Sequence, residues 1–428
     1  MANKKNILVF PCGSEIALEI YRSLKYSTHF NLIGGSSIND HGKFIFDDYL
    51  GGLPFITDDN FIPVMKGIVE DRNIDAIYPA MDAVIVELKK HEDELGCKII
   101  SADLSVVETC LSKSKTYAEL DGIIKVPKIF KASEVRYFPV FGKPDVGYGS
   151  RGGKKITSVK TLDEFVSSSP ESILCEFLPG DEYTVDCFTN KDGELLYFMP
   201  RVRQRVMNGI SVNTVPYYDD MPEFAEIVRA TNQKINFRGA WFLQLKRDSN
   251  GKLTLLEIAA RLGGSSSLSR GKGVNFAQLT LFDAFGYDVS VVDNDYAIEL
   301  DRALDTVYKI DIEYEEVFCD FDDCLLIDEK YINTELIAFL YQCINEGKKI
   351  TLLTKHVNDI DETLYKFRLT GIFDRVIHVN SEDEKPDYVD NVNAIFIDDS
   401  FAERAAVRSE LGIPVFSVDM VRCLLRQL

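Results

Sequence analysis

Strand-like and helix-like segments alternate at both ends of this chain, and a β-rich stretch separates the two. Near the start, NILVF (residues 6–10) reads as a buried strand, PCGS as a turn and EIALEIYRSLK as an amphipathic helix. NLIGG, DAIYPA (75–80), a helical stretch over 83–94 and CKIIS (97–101) continue the pattern. Strands that alternate with helices form a parallel sheet covered by those helices. From about residue 111 the texture changes. FPVFGKP, SILCEFL, EYTVDCFTN, ELLYFMPRV and KLTLLEIA are β-rich, with hairpin turns at NKDGE and DSNGK. From 315 the alternation returns: EVFCDFDD, KKITLLT, RVIHV and NAIFIDD as strands, YINTELIAFLYQCINEG and SFAERAAVRSELG as helices. The predicted fold class is α/β and α+β, multidomain. An α/β domain spans 1–108, an antiparallel-rich domain 109–312 and a small α/β domain 313–428.

The remaining composition narrows the setting. No apolar run reaches the roughly 18 residues of a membrane span, and MANKKNILVF carries no signal-peptide pattern. The 9 cysteines are scattered without a CxxC pair. That predicts reduced thiols and a cytoplasmic protein, not a disulfide frame or a zinc site. The net charge of −20 opposes nucleic acid as a partner, because phosphate backbones need basic patches. From Glu313 onward there are 24 acidic and 12 basic residues, a balance of −12, which sets the last stretch apart and suits a cation site.

Two local features point to chemistry. FGKPDVGYGSRGGKK (141–155) is rich in glycine and lysine but lacks the Walker pattern GxxxxGK[ST]. Its glycines let backbone N–H groups converge on an anion, and Ser150 adds a hydroxyl. Alone, it reads somewhat more as a flexible surface turn than as a phosphate lid. Further on, Gln244 and Glu257 lie on two strands joined by DSNG, so they can face one another across a hairpin at metal-bridging distance. Magnesium takes oxygen ligands, and a carboxylate in an apolar strand is costly without a cation. The turn PCGS has no GxGxxG and reads as a plain strand–helix turn.

Taken in order, SK…T, PVFGKPDVGYGSRG, CEFLPGDEYTVD, FLQLK…LLEIAARLGG and GVN resemble the ATP-grasp superfamily, in the branch of the carbamoyl-phosphate synthase large subunit. The resemblance covers residues 1 to about 300 and makes the first domain a Rossmann-like pre-ATP-grasp domain. It implies ATP and Mg²⁺ as cofactors, with Mn²⁺ as an alternative. Lys115 and Lys143 would contact phosphates. Gly147, Gly149, Ser150 and Gly152 would form the lid. Glu176, Phe177 and Leu178 would meet adenine, and Glu182 the ribose. Gln244 and Glu257 would hold the metal, and Arg261 would face the γ-phosphate as a catalytic group. Arg201 and Arg203 read equally as substrate clamps and as solvated strand charges. One departure stands out: Ala259 occupies the place where the family often carries a metal-binding Asn.

VFCDFDDCLLID (317–328), KKITLLTKH, SEDEKPDYV and NAIFIDDSFAER resemble, in that order, the haloacid dehalogenase (HAD) phosphatase superfamily. The resemblance implies a small capless Rossmannoid domain. Asp320 would be the nucleophile and Asp322 the general acid/base. Thr354 and Lys385 would hold the phosphoryl group, with Lys385 also catalytic. Asp320, Asp322, Asp398 and Asp399 would form the Mg²⁺ site. Cys324 stands where Thr is usual.

Together these resemblances imply a carboxylate–amine ligase working through an acylphosphate, fused to a phosphatase. Its partners would be a small carboxylate, an amine and a phosphorylated small molecule, with no nucleic acid and no membrane; the oligomeric state stays open. Two other readings remain: a nucleotide-binding sensor with an inactive ligase core, and a phosphatase whose ATP-grasp part supplies specificity.

Overall fold

The structure, a computed structural model, describes residues 4–147, 152–207, 209–303, 308 and 310–426. The chain divides into two compact units, residues 1–304 and 305–428. No helix among the described residues is long and apolar enough to cross a membrane.

The first unit begins with the parallel sheet that the alternation predicts. Strands β1 (Lys5–Phe10), β2 (Phe30–Gly35), β3 (Asp48–Leu50), β4 (Ala76–Pro79) and β5 (Lys98–Ile99) lie in the order β3-β2-β1-β4-β5. Helix α1 (Glu15–Leu24) starts where Ser14 Oγ accepts the Ala17 N–H at 3.1 Å, an N-cap that explains PCGS as a turn. Helix α2 (Phe61–Asp71) buries Phe61 and Met65 against Leu8, Phe10 and Ile77. The helical stretch expected over 83–94 is two pieces, α3 (Asp82–Lys90) and α4 (Glu92–Leu95).

Helices α5 (Leu104–Leu111) and α6 (Lys113–Leu120) follow. The boundary expected at residue 108 falls inside α5. Val106 and Val107 share one apolar cluster with Ile85 and Val86 of α3 and with Leu243 and Leu255 of a later sheet. The first two expected domains therefore bury a common core and form one unit.

An antiparallel sheet comes next: β6 (Ile129–Phe130), β7 (Val140–Pro144), β8 (Lys154–Ile156) and β9 (Ser172–Glu176), in the order β6-β9-β7-β8. Helix α7 (Val159–Ser168) lays Phe165 on Gly142, where a Cβ would come within 2.4 Å of the ring. The largest sheet holds β10 (Glu182–Thr189), β11 (Leu195–Met207), β12 (Ile210–Pro216), β13 (Gly239–Arg247), β14 (Leu253–Ala259) and β15 (Leu300–Asp301). Its order is β14-β13-β10-β11-β12-β15, also antiparallel. The strand period of two puts Tyr183, Val185, Leu243 and Leu245 into the core and Glu182, Thr184, Gln244 and Lys246 on the other face. Helices α8 (Met221–Ile235), α9 (Ser267–Gly271) and α10 (Phe276–Ala284) complete the unit.

The second unit is a parallel sheet with a small hairpin. In chain order it contains β16 (Glu316–Cys319), β17 (Leu326–Ile327), β18 (Tyr331–Ile332), α11 (Thr334–Asn345), β19 (Lys349–Thr354) and α12 (Ile360–Lys366). It ends with β20 (Arg375–His378), β21 (Ala394–Ile397), α13 (Phe401–Leu411) and β22 (Val415–Phe416). The sheet order is β20-β19-β16-β21-β22. The helix expected from Tyr331 starts later. Tyr331 and Ile332 pair with β17, and the Asn333 side chain accepts the amides of Glu335 and Leu336. With β16 central, the ends of β16, β19 and β21 bring DFDD, TKH and IDDS to one edge of the sheet.

Candidate active sites

In the first unit a cleft is lined by β7, the end of β9, and β10, β11, β13 and β14. The decisive geometry is in the β13–β14 hairpin. From the turn outward, Arg247 opposes Leu253, Lys246 opposes Thr254 and Leu245 opposes Leu255. A β-bulge then inserts Leu256, so that Gln244 opposes Glu257. Directly opposed residues point to the same face, so both side chains enter the cleft. Both are half-buried, and neither side chain is hydrogen-bonded or ion-paired among the described residues.

The bulge also frees a carbonyl. Leu256 O accepts from Tyr117 Oη at 2.6 Å and from Lys143 Nζ at 3.1 Å, and Lys143 Nζ donates to Tyr117 Oη at 2.7 Å. Lys143 is buried, and burial draws its pKa below that of an ordinary lysine, against the opposing pull of Cys175 and Glu257. Glu176, Phe177 and Leu178 follow along the wall, and the Lys155 ammonium lies 4.4 Å from the Phe177 ring centroid. Glu182 also lines the cleft. Its carboxylate is bonded to Arg203 Nη1 and lies 3.8 Å from Lys246 Nζ.

Several expectations change here. Lys115 is exposed and does not line the cleft; Lys113 does. Asp145 decides this. It accepts from Ser112 Oγ at 2.6 Å and from the Ser114 amide at 2.7 Å, fixing the start of α6 against the end of β7. Positions 113 and 115 then differ by about 200° around the helix, so only one can face the cleft. Lys113 Nζ donates to Gly147 O at 3.1 Å.

Arg261 does not line the cleft. It makes a bidentate pair with Asp82 in the first turn of α3, with both contacts at 2.8 Å. Arg201 and Arg203 part company as well. Arg203 lines the cleft, whereas Arg201 is buried against Asp186, with Nε 2.7 Å from Oδ2. Of the expected lid residues Gly147 lines the cleft and Gly152 does not; Gly153, which was not among them, does. Gly152 holds φ at 74°, a left-handed conformation suited to glycine. Gly149 and Ser150 lie outside the described residues. Ala259 is buried opposite Phe242.

The second unit carries its own site. Asp320 directly follows β16, and Asp398 and Asp399 follow β21. These three carboxylates can each offer an oxygen within 4.8 Å of the others. Lys385, at the start of a 3₁₀ turn, donates to Asp320 Oδ1 at 2.7 Å and Asp398 Oδ2 at 2.6 Å. All three side chains are buried. Burial raises Asp320 to about 7, with Lys385 opposing and Asp398 reinforcing the rise, and burial raises Asp398 too. With both carboxylates ionised, the three groups carry a net negative charge, which a divalent cation complements.

Thr354, fully buried, ends β19. Asp322 does not join the metal cluster. Its carboxylate turns to His356, whose Nδ1 lies 2.9 and 3.0 Å from the two oxygens. Cys324 is buried in the apolar core. The sequence reading therefore missed Lys113, Tyr117, Lys246 and His356. Lys113 lies two places before Lys115 in the same SK…T segment, and His356 ends KKITLLTKH.

Comparison with known proteins agrees with the first unit's fold. Residues 168–303 match a family described as "ATP-grasp in the biosynthetic pathway with Ter operon". The biotin carboxylase domain of 2-oxoglutarate carboxylase from Hydrogenobacter thermophilus, solved with MgADP, ADP and bicarbonate, is similar at 15% identity. The match covers 68% of this chain and 71% of that one, with a TM-score of 0.57. N5-carboxyaminoimidazole synthetase from Staphylococcus aureus, complexed with ADP, is similar at 16% identity, over 67% and 78% of the two chains, TM-score 0.56. L-amino acid ligase from Bacillus licheniformis gives 17%, 66% and 74%, and 0.53. No curated protein matches. The first unit has the ATP-grasp fold.

Proposed function

We propose that residues 1–304 form an ATP- and Mg²⁺-dependent ligase that activates a carboxylate as an acylphosphate and joins it to an amine or related nucleophile. We infer, too, that residues 305–428 form a HAD-type phosphatase. The observation that carries the ligase reading is the opposition of Gln244 and Glu257 in a cleft that also holds Lys143. A half-buried carboxylate with no hydrogen-bonded or ion-paired partner among the described residues fits a bound cation, and two oxygen ligands suit Mg²⁺ with phosphates completing its shell. Lys143 and Lys113 would grip the phosphates, while Glu176, Phe177 and Leu178 line the base and Glu182 the sugar. When bound, Mg²⁺ would neutralise charge on the phosphoryl group in transfer. Arg261, locked on Asp82, would have to exchange partners to reach a phosphate.

In the second unit, an Asp320 oxygen would bond to phosphorus as the ester P–O bond breaks, and Asp322 would give its proton to the departing alcohol. Asp322 would then take a proton from water. The water oxygen would bond to phosphorus, releasing inorganic phosphate and restoring the Asp320 carboxylate. Thr354 and Lys385 would hold the phosphoryl oxygens. Asp320, Asp398 and Asp399 would hold Mg²⁺, which supplies charge neutralisation there.

The test is ADP release on adding mixed amino acids and small carboxylates with Mg²⁺ or Mn²⁺. Release that stops with E257Q supports the ligase. Release no greater than that of E257Q removes it. Ala259, which offers no metal ligand, favours one other reading: nucleotide binding without ligation. That reading predicts ATP binding with no acceptor-dependent ADP.

A further inference from the structure

None of the phosphatase steps uses His356, yet the fold holds this imidazole on every side. It is buried. Its backbone N–H donates to Thr354 Oγ1 at 3.2 Å, and its carbonyl meets His378 Nε2. The Phe321 ring packs edge-on against it, with centroids 5.2 Å apart at 76°. Its two nitrogens have distinct partners. Nε2 lies 3.2 Å from Thr363 Oγ1. That hydroxyl already donates to Asp359 O at 2.8 Å, so it accepts from His356, and Nε2 carries the hydrogen. With the hydrogen on Nε2, Nδ1 of the neutral ring is an acceptor; it faces both oxygens of Asp322 and takes the hydrogen bond of that carboxyl group when it holds the proton for the departing alcohol.

The Asp322 side chain is 43% exposed. Among the described residues, His356 is the only hydrogen-bonding partner of its carboxyl group. A free Asp at this position would sample several rotamers toward solvent. The chain Asp359–Thr363–His356 instead ties the carboxyl group to α12.

We propose that His356 is a positioning residue. It holds the Asp322 carboxyl group in the direction from which the proton reaches the departing alcohol. This rests on the phosphatase reading. The consequence is selective. Proton delivery matters for a poor leaving group and little for a good one, and general acid catalysis is worth about 10²–10⁴-fold where it is needed.

The test uses the full chain with Mg²⁺ and two esters, glycerol 2-phosphate (poor leaving group) and p-nitrophenyl phosphate (good). H356Q is expected to lose about 10-fold or more on the first and under about 3-fold on the second. H356N, whose side-chain amide offers an acceptor oxygen near the Nδ1 position, should recover part of that loss. Should H356Q fail to fold, T363V removes the Nε2 partner with little change in volume and should show the same selective loss, smaller in size. Equal losses on both esters, or none, overturn the role of His356 and leave the phosphatase reading standing. Wild-type hydrolysis no faster than D320N on either ester overturns that reading, and this inference with it.

Discussion

The two candidate sites treat charge in opposite ways. In the first unit, Glu257 and Gln244 enter the cleft with no hydrogen-bonded or ion-paired partner among the described residues, and two of the cleft's lysines bond to neutral groups: Lys143 to Tyr117 Oη and Leu256 O, Lys113 to Gly147 O. In the second, Lys385 already joins Asp320 and Asp398 in a buried triad. A site with unmatched charges of both signs is arranged for a ligand that brings both, such as a metal-bound polyphosphate. A site that is nearly neutral and still one charge short is arranged for a single cation and a transient phosphoryl group. Exposure differs accordingly: the carboxylate of the first site is half-buried, whereas those of Asp320 and Asp398 are buried.

The comparison breaks if the two sites are not separable. The largest expected effect is D320N, which should cut phosphate release by about 10⁴-fold or more, as loss of a covalent nucleophile does, while leaving acceptor-dependent ADP release intact. E257Q should do the reverse, costing about 10²–10³-fold in ADP release with phosphate release unchanged. A variant that stops both reactions would refute two independent centres.

A smaller effect separates the lysines. K113A should weaken ATP binding about 10-fold, the scale of one lost charge-assisted hydrogen bond, whereas K115A should leave it within about 2-fold. Isothermal titration of ATP·Mg²⁺ reads both, and a larger effect from K115A would sink the assignment of Lys113.

The smallest effect concerns stability. The folded-state pKa of Asp320 lies above its ordinary 3.8, at about 7. Between those values the folded state binds more protons than the unfolded one, so stability falls as pH rises through that window. In EDTA, the full chain's melting transition should therefore drop by a few degrees from pH 5 to pH 8, at about 2–4 °C per kcal/mol. Mg²⁺ at pH 8 should restore it, and D320N should flatten the dependence. A wild-type transition that rises over the same range would contradict the triad's charge state.

Much of both sites was legible because hairpins and strand ends have short-range signatures. DSNG between two strands brings residues 244 and 257 near one another. There Asp248 Oδ1 accepts the Asn250 and Lys252 amides, each at 2.8 Å, and Gly251 takes φ 79°. Acidic runs at the ends of apolar strands likewise mark one edge of a parallel sheet. What escaped reading depended on distant partners. Arg261 was assigned to a phosphate, but its partner Asp82 lies 179 residues away. Lys115 was chosen over Lys113 because Asp145, on another element, sets where α6 begins. His356 showed no ligand spacing, since its partners come from beyond β16, from the end of β20 and from the middle of α12.

The sequence by itself determined the elements: residue types, strand and helix periods, and the turn chemistry that puts oxygen ligands on adjacent strands. Only the tertiary structure decided which way they point. A regular register would oppose Gln244 to Leu256 and set Glu257 opposite Leu243, on the core side. A one-residue slip moves a strand's side chains to the other face, and the bulge at Leu256 is that slip. It is held by Tyr117 and Lys143, whose hydrogen bonds to the freed carbonyl exist only once three separate segments have packed together.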